Sequence, residues 1–278
     1  MTQKILLFAG PKQSGKTSAA KFVTGYVMTQ LGRQGVPLLP TRCIIDDDGH
    51  LIVNAMFTDL EGTVHDGEGV LDLNRTDSEF KQWSQQILHP HVKIYSFASY
   101  LKEAAINIFG LERDKVFGND EDKNSPTDIK FSDLGRLLAP RTINKLKKDN
   151  RHNAFMTHRE FLQYFGTDIC RKIKDKCWIE ACFRQISEDK PEIAVIDDGR
   201  FKNELVVARE MGSMIIKLGR MTGDLDDHPS EKEIVKLPAK YADKFVDNQD
   251  MNIQEKNQII LDLLYHWGWM SAHIGLGE

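Results

Sequence analysis

The sequence is poor in the features that mark several whole classes of protein. It has four cysteines, Cys43, Cys170, Cys177 and Cys182, and no two of them form a C-x-x-C pair. That excludes zinc ribbons and thioredoxin-type redox centres and points to reduced thiols in a cytoplasmic protein. No apolar run approaches the roughly 20 residues that span a bilayer. The first strand-like run, Ile5 to Ala9, is too short for a signal-peptide core, so no membrane partner is expected. An excess of basic charge is missing too. The net charge is −4, which disfavours a protein that works mainly by coating nucleic acid. There is no internal repeat or low-complexity tract. His228 has no second histidine at ligand spacing, and His89-Pro90-His91 is no metal signature.

What is present is a chain of 278 residues, 41% hydrophobic and 28% charged, enough to bury a sizeable core. Strand candidates Lys4–Ala9, Val92–Phe97, Ile193–Ile196 and Met214–Leu218 are short and apolar on both faces, and helical patterns separate them. A short strand at Phe245-Val246 and an amphipathic helix Ile253–Trp267 close the chain. This alternation predicts an α/β fold of three layers, a parallel sheet covered by helices on both sides. Cys43–Ile45 and Leu51–Val53 flank Asp46-Asp47-Asp48-Gly49, which predicts a hairpin. Residues 58–80 read as a polar excursion. Residues 118–157 read as a charged segment outside the core, with a basic run at Lys145, Lys147, Lys148 and Arg151. We read one domain over 1–278, with insertions at about 40–90 and 118–157 and a lid at about 220–238. Ligands in such folds gather at the carboxyl ends of the strands, so the loops after Ala9, Phe97, Ile196 and Leu218 should converge.

Gly10-Pro-Lys-Gln-Ser-Gly15-Lys16-Thr17 matches G-x-x-x-x-G-K-[ST], between a strand and a helix. Its glycines let backbone N–H groups curl around phosphate oxygens, and the helix start adds its positive end. Lys16 would neutralise the β/γ-phosphates and Thr17 would offer a hydroxyl to Mg²⁺. Gly10, Lys12, Ser14, Gly15, Lys16, Thr17 and Ser18 form the expected nucleotide-binding set. Asp197 and Asp198 end the strand Ile193–Ile196, where an acid of such a protein holds the metal or its water. Of the two we assign Asp198 to the metal, beside Thr17. Arg200 follows and suits an acceptor phosphate. Glu204, one turn further on, could orient Arg200 or accept from a sugar hydroxyl.

Two segments are more open. Arg159–Arg171 reads as a helix, a turn at Gly166 and a new helix capped by Thr167 or Asp168, with Arg171 and Trp178 nearby. It is either an acceptor site, with Trp178 stacked on a base or sugar, or a plain helical hairpin with a core tryptophan. Arg220 precedes the charged run Asp224, Asp226, Asp227, His228, Ser230 and Glu231. The run is either a solvated loop or a lid that brings Arg220 onto the transferring phosphoryl.

Taken together, several segments resemble the phage deoxynucleoside monophosphate kinases. They are the phosphate loop, Tyr95–Ala104, Phe109–Leu111, Phe117–Thr127, Arg159–Thr167, Trp178, Asp198-Gly-Arg-Phe-Lys-Asn-Glu204, Arg220, His228–Glu231 and Asp247-Asn248. The D-x-R-F-x-N-E motif carries Lys202 where proline is usual. The resemblance implies a P-loop kinase fold with an acceptor region and a lid. It implies transfer of the ATP γ-phosphoryl, with Mg²⁺, to a deoxynucleoside 5′-monophosphate, giving the diphosphate and ADP. Lys16, Asp198, Arg200 and Arg220 would be catalytic. Arg159, Gln163, Gly166, Thr167, Arg171, Trp178, Asp198, Arg200 and Glu204 would bind the acceptor. It further implies phage or bacterial DNA-precursor supply and a homodimer. The rivals are another small kinase of adenylate, guanylate or nucleoside type, and an ATP-dependent switch or nucleic-acid-binding module using Arg141–Arg151.

Overall fold

A computed structural model describes residues 3–58, 63–221 and 229–270. The chain forms two compact units, residues 1–95 with 185–278 and residues 96–184. Ten strands are described: β1 (Lys4–Ala9), β2 (Cys43–Ile45), β3 (Leu51–Thr58), β4 (Val64–Val70), β5 (Val92–Tyr95), β6 (Pro126–Lys130), β7 (Phe155–Thr157), β8 (Ile193–Gly199), β9 (Met214–Leu218) and β10 (Lys244–Val246).

The first unit is built on a five-stranded sheet of order β10-β9-β1-β8-β5, in which every pair is parallel. The middle strand, β1, is apolar without interruption from Ile5 to Ala9 because both faces are covered: Leu6, Leu7, Phe8 and Ala9 are all fully buried. On one face Leu6, Phe8, Val195, Ile216 and Leu218 join Ala19, Ala20 and Val23 of the helix Lys16–Arg33, and Ile260 and Leu264 of the helix Ile253–His266. The helix Lys202–Glu210 lies against β9 and β1 and buries Leu205 and Ala208 outside that cluster. After β1 the next strand of this sheet is β5, at one edge, whereas β8 leads to β9 on the other side of β1. Strand order therefore reverses around β1, and the crevice at the carboxyl ends of β1, β8 and β9 is where such a sheet takes its ligand.

The sheet is irregular at that crevice. β1 and β8 run in step from Lys4↔Ile193 to Leu7↔Ile196 and resume at Ala9↔Gly199. Two residues, Asp197 and Asp198, thus oppose Phe8 alone. This is a bulge, a device that re-aims side chains beside functional sites.

The expected hairpin is present, with Cys43↔Val53 and Ile45↔Leu51 paired. Its turn is closed by Asp46 Oδ1, which accepts from the Asp48 and His50 N–H groups at 3.1 and 2.7 Å. Where the sequence reads as a polar excursion, β4 extends this hairpin into a three-stranded sheet. Val-His-Asp-Gly-Glu-Gly-Val carries neither alternation nor β-propensity, so pairing with β3 decides its conformation.

The second unit corrects the reading of 118–157 as lying outside the core. Phe131, Leu138, Leu146 and Met156 from that segment are buried with Ala105, Leu111, Val116 and Phe161. These apolar residues are spaced singly among charges and offer no periodic stripe. Lys145, Lys147 and Lys148 of the basic run form the last turn of the helix Pro140–Lys148, where cations complement the helix dipole, and Arg151 lies beyond it. Phe109 meets Phe161 and Phe165 edge-on with centroids 5.1 and 5.0 Å apart. Phe161→Ala is expected to lower the unfolding free energy by about 3–5 kcal/mol. Urea denaturation checks this, and an unchanged midpoint would place the unit's core elsewhere.

Candidate functional site

The loop between β1 and the helix Lys16–Arg33 is shaped by residues that tolerate unusual backbone. Gly10 has φ 151° and Gly15 has φ 91°, with Gln13 at φ 60° between them. A Cβ at Gly10 would lie 2.7 Å from both Leu218 O and Ser14 Oγ, so only glycine fits there. The Gly10 N–H donates to Gly199 O at 3.1 Å, which ties the ends of β1 and β8 together. Lys16 is 6% exposed. Its Nζ donates to Gly10 O at 2.8 Å, to Pro11 O and, more distantly, to Ser14 Oγ at 3.4 Å. The ammonium is thus stored inside the curl of the loop.

Thr17 Oγ1 donates to Asp197 Oδ2 at 3.0 Å. A hydroxyl and a carboxylate at the start of this helix are two hard oxygen donors of the kind Mg²⁺ takes. The acid that reaches Thr17 is Asp197, whereas the sequence reading assigned Asp198. Val195 shares the sheet face covered by the helix Lys16–Arg33, and Asp197, at the bulge two residues on, reaches Thr17 at the start of that helix.

Beyond β8, Glu204 is 2% exposed, and its Oε2 accepts from the main-chain N–H groups of Arg200 and Phe201 at 2.7 and 2.9 Å. It fixes the turn that carries Arg200, as the carboxylate half of a capping box does. Arg220 follows β9. Its Nε donates to Asn248 O at 3.1 Å and its Nη2 to Met251 O, so its guanidinium is held on the loop 248–251. Residues 222–228 of the expected lid, including Asp224, Asp226, Asp227 and His228, lie outside the described residues.

Two residues at this site carried no functional assignment from the sequence. Asn248 is 1% exposed. Its Oδ1 accepts from the Gly219 and Arg220 N–H groups at 3.1 and 2.9 Å, while its Nδ2 donates to Ser14 O at 3.0 Å. One amide thus joins the turn after β9 to the phosphate loop. Lys256 donates to Ser18 Oγ at 2.8 Å and to Gly15 O at 3.3 Å. Burial, with a smaller contribution from the Arg220 charge, pulls its ammonium down to about 8. Asn248 stands among the segments of the family resemblance but with no role attached, and a lysine in an amphipathic helix carries no motif.

In the second unit the remaining residues except Trp178, which lies on the helix Cys177–Asp189, share one helical run. His158–Gln163, a π-helical stretch Tyr164–Cys170 and Arg171–Ile173 follow one another, and the break falls at Lys174, whose backbone is extended. The expected turn at Gly166 is absent. The helix passes close to Leu101 at this point, where a Cβ would lie 2.5 Å from Cδ2 and the leucine side chain would have to shift. Thr167 and Asp168 therefore sit inside helix and cap nothing, and Asp168 pairs with Lys172 at 3.1 Å. The cap is Thr157, which accepts from the Glu160 N–H at 3.1 Å. Arg159 donates to Asp120 at 2.7 Å and to Asn124 at 3.0 Å. Trp178 Nε1 donates to Gly166 O at 3.2 Å and its ring lies 6.5 Å from that of Phe165. Gln163 ends the first segment and Arg171 begins the last.

A parallel sheet whose central strand runs into this loop, with an acid from the neighbouring strand on the loop's threonine, defines a phosphate-loop protein of the kinase-like fold. The model of the family described as deoxynucleotide monophosphate kinase matches residues 4–259. The chain belongs to that family. It is 32% identical over 114 residues to a deoxynucleoside-5′-monophosphate kinase of Escherichia phage T5, covering 38% of this chain and 44% of that protein. It is 30% identical over 152 residues to an Acanthamoeba polyphaga mimivirus protein assigned by name to deoxynucleotide monophosphate kinases, covering 50% of this chain and 67% of that one. Among the described residues no helix is long and apolar enough to cross a membrane.

Proposed function

We propose that this protein transfers the γ-phosphoryl of ATP to a deoxynucleoside 5′-monophosphate, giving the diphosphate and ADP. The observation that carries the reading is the phosphate loop with Lys16 stored inside it and Thr17 on Asp197, in a chain of this family. Phosphoryl transfer asks for positioning and charge cancellation more than covalent help. In this reading the loop N–H groups and the helix start hold the donor phosphates. Lys16 leaves its carbonyl partners for the β/γ-phosphates. Thr17 and Asp197 hold Mg²⁺, which when bound cancels charge on the phosphate oxygens. Arg200, fixed at its main chain by Glu204, offers its guanidinium to the acceptor phosphate. Arg159, Gln163, Gly166, Thr167, Arg171 and Trp178 are proposed as acceptor contacts, and Asp198 as a second acid at the same strand end. Arg220 and the lid that follows it are proposed to close over the donor. DNA-precursor supply in a phage-infected cytoplasm and a homodimer belong to the same proposal.

The test is ADP release with ATP and Mg²⁺ and each of dGMP, dTMP, dCMP, dAMP and their ribo forms in turn. Turnover that depends on a deoxynucleotide acceptor supports the reading, and hydrolysis indifferent to every acceptor overturns it in favour of a switch.

The Asn248 bridge gives a further expectation. Asn248→Asp keeps an acceptor for Gly219 and Arg220 but loses the N–H to Ser14 O and sets a carboxylate against that carbonyl. ATP affinity should fall about tenfold, the worth of one buried hydrogen bond left unmade. Titration calorimetry decides it, and an affinity equal to wild type would make the bridge irrelevant to the loop.

A further inference from the structure

Among the described residues, two cations beside the phosphate loop have no acid to answer them. Lys256 is 3% exposed, and its ammonium meets only neutral acceptors, the Ser18 hydroxyl and the Gly15 carbonyl. The guanidinium of Arg220, close enough to repel it, also meets only carbonyls, those of Asn248 and Met251. Among the described residues neither makes an ion pair. A charge taken out of water without a partner is costly, and removing it from a fold is often neutral or stabilising. Among the described residues, two hydrogen bonds to neutral groups are all that answers this ammonium, and no acid compensates its charge.

Its placement accounts for it. Gly15 is the N-cap of the helix Lys16–Arg33 and Ser18 lies in its first turn, the turn whose free N–H groups and dipole face an anion. The missing counter-charge is the ligand of the loop. We infer that Lys256 is a donor-site residue, a second buried cation that reaches the phosphate loop from the helix Ile253–His266 and is compensated by the phosphates of a bound nucleoside triphosphate. This rests on the nucleotide-binding reading of the loop. Lys16 enters from within the loop, and Lys256 enters from the far end of the chain, so the closing helix becomes part of the site.

Charge compensation by a ligand predicts effects of opposite sign on stability and on binding. Lys256→Met should leave the melting temperature of the nucleotide-free protein unchanged or raise it. The same change should weaken Mg·ATP binding about tenfold by calorimetry and raise the KM for ATP by a like factor, with kcat within twofold of wild type. Lys256→Gln keeps an N–H for Ser18 and removes the charge, so it should weaken binding as methionine does. A structural lysine gives the reverse pattern, a lower melting temperature or no folding with wild-type ATP affinity in whatever folds, and that result overturns the inference. Wild-type affinity in Lys256→Gln overturns it as well, because a hydrogen bond would then suffice. Wild type and Lys16→Ala are titrated alongside. If wild type takes up no Mg·ATP, the reading of the loop itself fails and Lys256 with it. If wild type binds and the Lys256 variants bind equally, only the role of Lys256 fails.

Discussion

Replacing Lys16 with alanine should remove phosphoryl transfer, lowering kcat by about 10³-fold or more, in a protein that still unfolds cooperatively. The size follows from what the side chain is asked to do. A fixed charge aimed at phosphate oxygens in a site that excludes water is worth several powers of ten in rate. Survival of the fold follows from where the side chain is kept. Its ammonium is held by the carbonyls of its own loop, Gly10 O and Pro11 O. Alanine frees two carbonyls at a loop surface and takes a nearly buried charge out of the protein, and these effects oppose one another. Steady-state ADP release beside a thermal melt separates loss of chemistry from loss of structure. A folded Lys16→Ala protein with full activity would mean that this loop does not hold the transferring phosphate.

Much of this site could be read from the sequence because the residues involved are bound to one another through short stretches of chain. The phosphate loop needs its glycines, lysine and threonine at fixed spacing, and it stands between a strand and a helix for a mechanical reason, so Gly10–Thr17 identified itself. The parallel sheet was legible for the same kind of reason. Strands buried on both faces must be largely apolar, and Leu6–Ala9 and Ala194–Ile196 are apolar throughout, while Ile215–Leu218 is broken only by Lys217. Legibility ended where a contact joins distant parts of the chain. Asn248 and Lys256 reach Ser14 and Ser18 across more than two hundred residues, and only the fold brings them together. It ended also where tertiary packing overrides local pattern. Gly166 looks like a turn residue, yet it lies inside helix, packed close to Leu101. Phe131 and Leu146 look like strays in a charged segment, yet they build the core of the second unit. The acid pair shows both limits at once. Two adjacent aspartates at a strand end were evident, but which one meets Thr17 depends on the face the helix covers and on the bulge opposite Phe8.

That pair carries the second large effect. Asp197→Asn should lower kcat by about 10²- to 10³-fold and raise the Mg²⁺ concentration for half-maximal rate, because an amide oxygen in place of the carboxylate offers a neutral and weaker ligand to a hard dication. The backbone gives no reason to expect misfolding, since β8 keeps its parallel pairing to β1 and β5 through residues 193–196 whichever side chain stands at 197. Thr17 retains a partner as well, because the amide oxygen of asparagine still accepts its hydroxyl hydrogen. The substitution thus removes the charge and keeps the Thr17 contact, which separates a metal role from the role of that contact. Asp198→Asn is the control supplied by the sequence itself, as it carries the same chemical change one residue along a bulged strand. If Asp197 is the metal residue, the Mg²⁺ requirement shifts in the first variant and holds steady in the second. The opposite result would hand the metal to Asp198, and would mean that the 3.0 Å contact between Thr17 and Asp197 exchanges when the nucleotide enters.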